Sequence, residues 1–192
     1  MLNIDIHMSL REYIAENELN CIKLHLGCGD TKWKDFINID LYPYDELVTD
    51  TSRGGCVADV SADIRDLGLS DRTVDEIFTS HTIDHFTRWE AIEMLRDWYR
   101  MLKTNGLLII ESADFMRCIL WLFHPIKAKR KLALDQFYGN QWDCLDYQTH
   151  RYLWSAREIR NVLLLIGFRE VNYTHNTLTH YPGRDMRITA VK

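Results

Sequence analysis

The stretch Lys23–Leu41, K-L-H-L-G-C-G-D-T-K-W-K-D-F-I-N-I-D-L, constrains this chain more than any other. An apolar run, Ile22–Leu26, breaks into Gly27-Cys28-Gly29, and a second run, Phe36–Ile39, ends on Asp40. Two glycines one residue apart let a chain turn sharply out of a buried strand. With no Cβ in the way, their backbone N–H groups can also approach a ligand closely. A carboxylate at the tip of the next strand is placed to accept two hydrogen bonds from a ribose diol. Strand, glycine turn, strand and carboxylate describe a nucleoside-binding edge. A dinucleotide is disfavoured. Its fingerprint calls for a third glycine where Lys32 stands, and for a helix opening on the pyrophosphate. Gly29 and Asp40 are eleven residues apart, too few for a three-turn helix and a strand.

The rest of the chain supplies alternating strand and helix signals. Ser9 with Glu12, Thr87 with Glu90 and Ser155 with Glu158 each form the Ser/Thr-x-x-Glu pattern of a capping box. The first opens a short helix to Glu18. The second opens an amphipathic helix whose stripe is Trp89, Ile92, Leu95, Tyr99 and Leu102, ended by a left-handed cap at Asn105-Gly106. The third opens a helix over Ile159, Val162, Leu163 and Ile166, capped by Gly167. Strands are predicted at Cys56–Val60, Val74–Thr79, Leu107–Ile110, Phe168–Thr174 and Met186–Val191. Val74–Thr79 delivers Ser80 and His81 to the carboxyl edge of the sheet, where ligands of open α/β sheets bind.

L-H-L-G-C-G-D followed by F-I-N-I-D resembles the opening of class I S-adenosylmethionine-dependent methyltransferases, in particular a group with L-x-L-G-C-G and a short first loop ending G-W-x-N-x-D. S-H-T-I-D-H-F is similar to that family's S-x-x-L-E-H, with Asp84 where Glu is common. L-K-T-N-G-L-L-I-I-E-S-A-D-F is similar to its L-K-P-G-G-x-L-x-I-x-x-P-D-F. The resemblance runs from about Ile22 to the C-terminus and is least specific over 115–154. It implies a Rossmann-like, doubly wound α/β fold: a mostly parallel seven-stranded sheet with an antiparallel last strand. The length suits one domain over residues 1–192. The density of aromatic and hydrogen-bonding residues from Gln136 to Trp154 suits a lid or substrate pocket, making 115–154 an inserted helical and aromatic lid segment. In a domain of the family it resembles, Gly27, Cys28 and Gly29 would meet the methionine part of S-adenosylmethionine, Asp40 and Leu41 its ribose, and Asp63 and Ile64 its adenine, with Ser80 and His81 beside it.

Composition narrows the partners. The 192 residues carry a net charge of −5, which disfavours binding a phosphate backbone and points to a small-molecule acceptor. The resemblance favours a sugar or glycan precursor. Five cysteines without a C-x-x-C pair suit neither a zinc site nor a disulfide framework, and no apolar run reaches membrane-spanning length. A cytoplasmic protein is expected, and no membrane partner. A general base for a hydroxyl acceptor would come from His81, Asp84 or His85 beyond the fourth strand, or from Tyr147 or His150, with His85 and His150 the leading candidates. No metal site is expected, since no H-x-x-x-H helix occurs and His81 and His85 sit at a strand exit. Two other readings fit the same fold: an aminopropyl transferase, and a cofactor-binding scaffold without turnover.

Overall fold

The computed structural model describes residues 8–41, 57–139 and 149–192. Among them are seven strands in one sheet. β1 (Lys23–Leu26), β2 (Ile37–Asp40), β3 (Val60–Ser61), β4 (Val74–Ser80) and β5 (Leu102–Ala113) run parallel. β6 (Arg169–Thr174) and β7 (Asp185–Val191) form an antiparallel pair, and β7 inserts between β5 and β6. The order β3-β2-β1-β4-β5-β7-β6 is the expected class I methyltransferase sheet. Strand order reverses between β1 and β4, so the crevice at their carboxyl ends is the natural ligand position. Leu24, Leu26, Ile39, Ile77, Phe78, Leu108 and Ile110 are buried, as expected of strands covered on both faces.

No helix lies between β1 and β2. Asn38 takes its place as the organiser of the connection. Its Nδ2 donates to the carbonyls of Trp33 (3.1 Å) and Phe36 (3.0 Å), and its Oδ1 accepts from the Trp33 N–H at 2.9 Å. Trp33 stacks on Phe78 with ring centroids 4.1 Å apart. The short segment is thus folded around one buried amide, which explains how eleven residues suffice.

The helices α1 (Leu10–Glu16) and α2 (Arg88–Met101) begin with complete capping boxes at Ser9/Glu12 and Thr87/Glu90. α5 (Ala156–Ile166) has half of one. Ser155 accepts from the Glu158 N–H, but the Glu158 carboxylate accepts instead from Arg88 (2.8 Å) and from the Tyr152 hydroxyl. The buried stripe of α2 is Ala91, Met94, Leu95, Trp98 and Met101, rotated from the expected one. Trp89 is 71% exposed, lying under the Arg88 guanidinium. Trp98 is fully buried and its indole N–H donates to the Ile64 carbonyl at 3.1 Å, a partner a tryptophan needs inside a core.

The cap expected at Asn105-Gly106 does a different task. α2 ends at Met101 and the chain goes straight into β5. Asn105 is left-handed (φ 63°), but within the bulge where β5 fits Leu102 and Leu107 against Val74 and Glu76 of β4.

Residues 115–138 form two helices, α3 (Phe115–Leu122) and α4 (Lys127–Tyr138). They share a small core of Ala113, Cys118 and Ala133, flanked by Trp121, Leu122, Phe137 and Leu153 and separate from the main one. Of the strand expected at Cys56–Val60, Cys56 lies outside the described residues, and the pairing begins at Val60. No helix among the described residues is long and apolar enough to cross a membrane.

Candidate functional site at the carboxyl edge of the sheet

The glycine loop leaves β1 in a left-handed conformation at both Gly27 (φ 69°) and Gly29 (φ 53°). Buried backbone groups must find partners, and here they do. The N–H groups of Gly27 and Cys28 donate to the Ile39 carbonyl at 2.9 and 3.2 Å. The Gly29 N–H donates to the Asp40 Oδ2 at 2.8 Å, and the other Asp40 oxygen accepts from the Leu41 N–H. The donors that the sequence reserved for a ligand therefore face β2. Above Gly29 the loop leaves space that is open among the described residues, where an added Cβ would meet none of them within 4 Å. At Gly27 the opposite holds. A Cβ there would stand 2.3 Å from the Thr82 hydroxyl oxygen.

Other expected contacts are distributed around this loop. Leu41 is exposed, and its carbonyl accepts from Ser61 Oγ. Ile64 is buried beneath Trp98, whereas the Asp63 carboxylate is part-exposed and held by Arg65, with Nη2 to Oδ2 at 2.6 Å. That guanidinium holds Asp63 below the usual carboxylate range, against a smaller opposing effect of burial.

Ser80 and His81, at the end of β4, turn toward β7. Ser80 Oγ bonds Thr179 Oγ1 at 2.8 Å, and His81 Nε2 lies 3.0 Å from Asp185 Oδ2. Asp185 also accepts from Arg184 Nε and from the Tyr181 N–H. Burial raises the Asp185 carboxyl, but His81 and Arg184 outweigh it and bring it to about 2. Glu111, fully buried at the end of β5, accepts from the N–H groups of Leu178 and Thr179, from the Thr179 hydroxyl and from Arg187. Glu111, Arg184 and Asp185 anchor the β6–β7 connection over the sheet edge. Sequence reading passed over all three. The available signal was a glutamate ending an otherwise apolar run, Leu107–Ile110.

Residues 24–110 match a protein-family model described as a methyltransferase domain. Over this stretch the chain is similar to methyltransferase domains. S-adenosylmethionine is the cofactor that this family uses. Solved structures of similar fold include a SAM-dependent methyltransferase from Archaeoglobus fulgidus, 17% identical, with a TM-score of 0.57 over 95% of this chain and 91% of that one. Another, from Thermotoga maritima, is described as a possible histamine N-methyltransferase; it is 17% identical, with a TM-score of 0.56 over 94% and 86%. A third, from Methanosarcina mazei, is a SAM-dependent methyltransferase at 16% identity, with a TM-score of 0.57 over 93% and 96%. No curated protein matches the chain.

The loop after β1 has the features such a cofactor requires. The turn is side-chain-free where the space is open, it sits at the strand-order reversal, and a carboxylate stands at the tip of β2. Each Asp40 oxygen accepts one backbone bond and retains a second lone pair for a hydroxyl.

Beyond β4, a 3-10 turn (Ile83–His85) carries Asp84 and His85, and the chain returns at His150 to meet them. The Asp84 backbone carbonyl accepts from the N–H groups of Arg151 (2.8 Å) and Tyr152 (3.3 Å), which fixes this return. The Asp84 side chain is fully buried, and neither oxygen has a hydrogen-bond partner. Burial pushes its carboxyl up, but His150, His85 and His81 together hold it below the ordinary range. Burial pushes His85 down, against the pull of Asp84. The His85 and His150 rings meet edge to face at 4.8 Å. The two histidines singled out from sequence are therefore neighbours, 65 residues apart in the chain. Tyr147 lies outside the described residues.

Proposed function

We propose that this protein transfers the methyl group of S-adenosylmethionine to a small-molecule acceptor, with sugar or glycan precursors the first class to test. The observation that carries the reading is the Gly27–Gly29 turn locked onto Asp40 beside open space, in a stretch similar to methyltransferase domains. In this reading Gly27, Cys28 and Gly29 border the methionine portion, Asp40 and Leu41 the ribose, and Ile64 with Asp63 the adenine. Ser80 and His81 line the side toward β7. A sulfonium methyl is already activated, so the chief requirement is to hold the acceptor in line and exclude water. In this reading His85 and His150, whose rings meet beyond β4, would face the acceptor. The charge of −5 supports a small acceptor over a nucleic acid.

Calorimetric titration with S-adenosylhomocysteine tests the cofactor, with NAD and decarboxylated S-adenosylmethionine as comparators. Micromolar binding of the first alone supports the reading, and preference for the decarboxylated compound would favour aminopropyl transfer. Labelled methyl transfer onto an acceptor panel then tests turnover. Cofactor binding with no transfer to any acceptor would leave the scaffold reading.

A further inference from the structure

The geometry points to a site for one divalent transition-metal ion, of the zinc or iron class, held by Asp84, His85 and His150. The His150 Nδ1 lies 2.7 Å from the Gln136 carbonyl oxygen. A carbonyl only accepts, so Nδ1 carries a hydrogen, and Nε2 is the ring nitrogen left to act as a metal ligand. Nε2 faces the Asp84 Oδ2 at 3.6 Å, too far for a hydrogen bond. His85 adds a third candidate ligand atom, a buried Nδ1 without a hydrogen-bond partner. One ligand atom from each residue falls within 4.8 Å of the other two.

Two imidazoles and one carboxylate are the nitrogen and oxygen set that zinc and non-haem iron take, and magnesium does not. Ligands about 2.0–2.1 Å from a tetrahedral ion stand about 3.3 Å apart. The Asp84–His150 pair is already near that spacing, and the most distant pair has to close by about 1.5 Å on binding. The Gln136 carbonyl behind His150 is the outer support that orients a metal-binding histidine. A three-ligand site leaves coordination positions open, the arrangement of catalytic rather than purely structural ions. Asp84 follows Thr82, the residue against Gly27, by two positions, so an ion there would sit close to the glycine loop.

The site is tested without any methyl acceptor. The full chain, stripped by a chelator, is titrated with Zn2+ by calorimetry and with Co2+ by visible absorption. One ion per chain, at micromolar or tighter affinity, with Co2+ bands free of thiolate charge transfer, is expected. Asp84→Asn and His150→Gln should each weaken Zn2+ at least 100-fold, while S-adenosylhomocysteine affinity changes little. Absence of stoichiometric binding, a thiolate band, or wild-type affinity retained in both variants would overturn the site. Should the variants fail to fold, native mass spectrometry of wild-type protein from zinc-supplemented cells decides: one zinc per chain supports the site and none overturns it. Metal binding and cofactor binding are read separately, so either can fail alone.

Discussion

Gly27 and Thr82 approach so closely that a methyl group on the glycine would stand 2.3 Å from the threonine Oγ1 and 2.5 Å from its Cγ2. This contact joins the loop after β1 to the turn after β4. Two residues on, the space above Gly29 is open among the described residues. The two glycines are therefore required for different reasons. Gly27→Ala adds a left-handed backbone cost of about 1–2 kcal/mol to an overpacking cost of about 1–3 kcal/mol. Its melting temperature should fall by many degrees. Gly29→Ala carries only the backbone cost, yet places a methyl in the proposed cofactor space. It should lose S-adenosylhomocysteine affinity at least tenfold with a much smaller fall in melting temperature. Differential scanning calorimetry and isothermal titration on both variants check this split, and a matching loss in both would sink it.

Asp40 both holds the loop and, in the proposed reading, the ribose. Removing its carboxylate in Asp40→Ala leaves the Gly29 N–H unpaired. Cofactor affinity should fall by about 1.5–3 kcal/mol, the range for a bond to a charged group. Asp40→Asn keeps an oxygen for Gly29 and should fall between wild type and alanine. Unchanged titration curves for both variants would place the ribose elsewhere.

Acid stability should depend on Asp185. Its folded value of about 2 lies below the ordinary 3.8, so the unfolded chain takes up the proton first as pH falls. The ion pair's contribution is complete above about pH 4 and disappears as pH falls toward 2. A shift of that size corresponds to about 2 kcal/mol. Asp185→Asn should lower stability at pH 7 and flatten the acid limb between pH 4 and 2, measured by urea denaturation across that window.

Thiol reactivity should separate the described cysteines. Cys21 is exposed, while Cys118 is buried between α3 and α4 and its thiol is pushed up to about 12 by loss of water. Iodoacetamide at pH 8 should label Cys21 and leave Cys118 unmodified until the protein unfolds. Peptide mass spectrometry reads the order, and early labelling of Cys118 would contradict the packing of that helix pair.

Much of the sheet was legible because its signals are local. Short apolar runs bounded by turns located the strands, and Ser9 and Thr87 marked two helix starts to the residue. The misses share a cause. The α2 stripe was rotated because Trp89 looks apolar in sequence, yet Arg88 covers it at the surface. Glu158 left its capping box for Arg88 and Tyr152, partners that only tertiary structure supplies. The spacing of His81 and His85 carries no word of His150, which the fold brings to within 3.6 Å of Asp84. Local patterns report elements well. They cannot report which distant side chains the completed sheet brings together.

The position of β7 has a consequence for how the chain assembles. β6 precedes it in sequence, yet within the sheet β6 pairs with β7 alone. The edge strand is thus made before the strand that attaches it, and it waits unpaired until Asp185–Val191 slots in beside β5. This closing step joins Leu107 to Val191 and Ala113 to Asp185, pairings that span more than seventy residues. Such long-range closure is entropically slow. β7 is in this sense the latch of the sheet: it is the strand that ties β6 to β5.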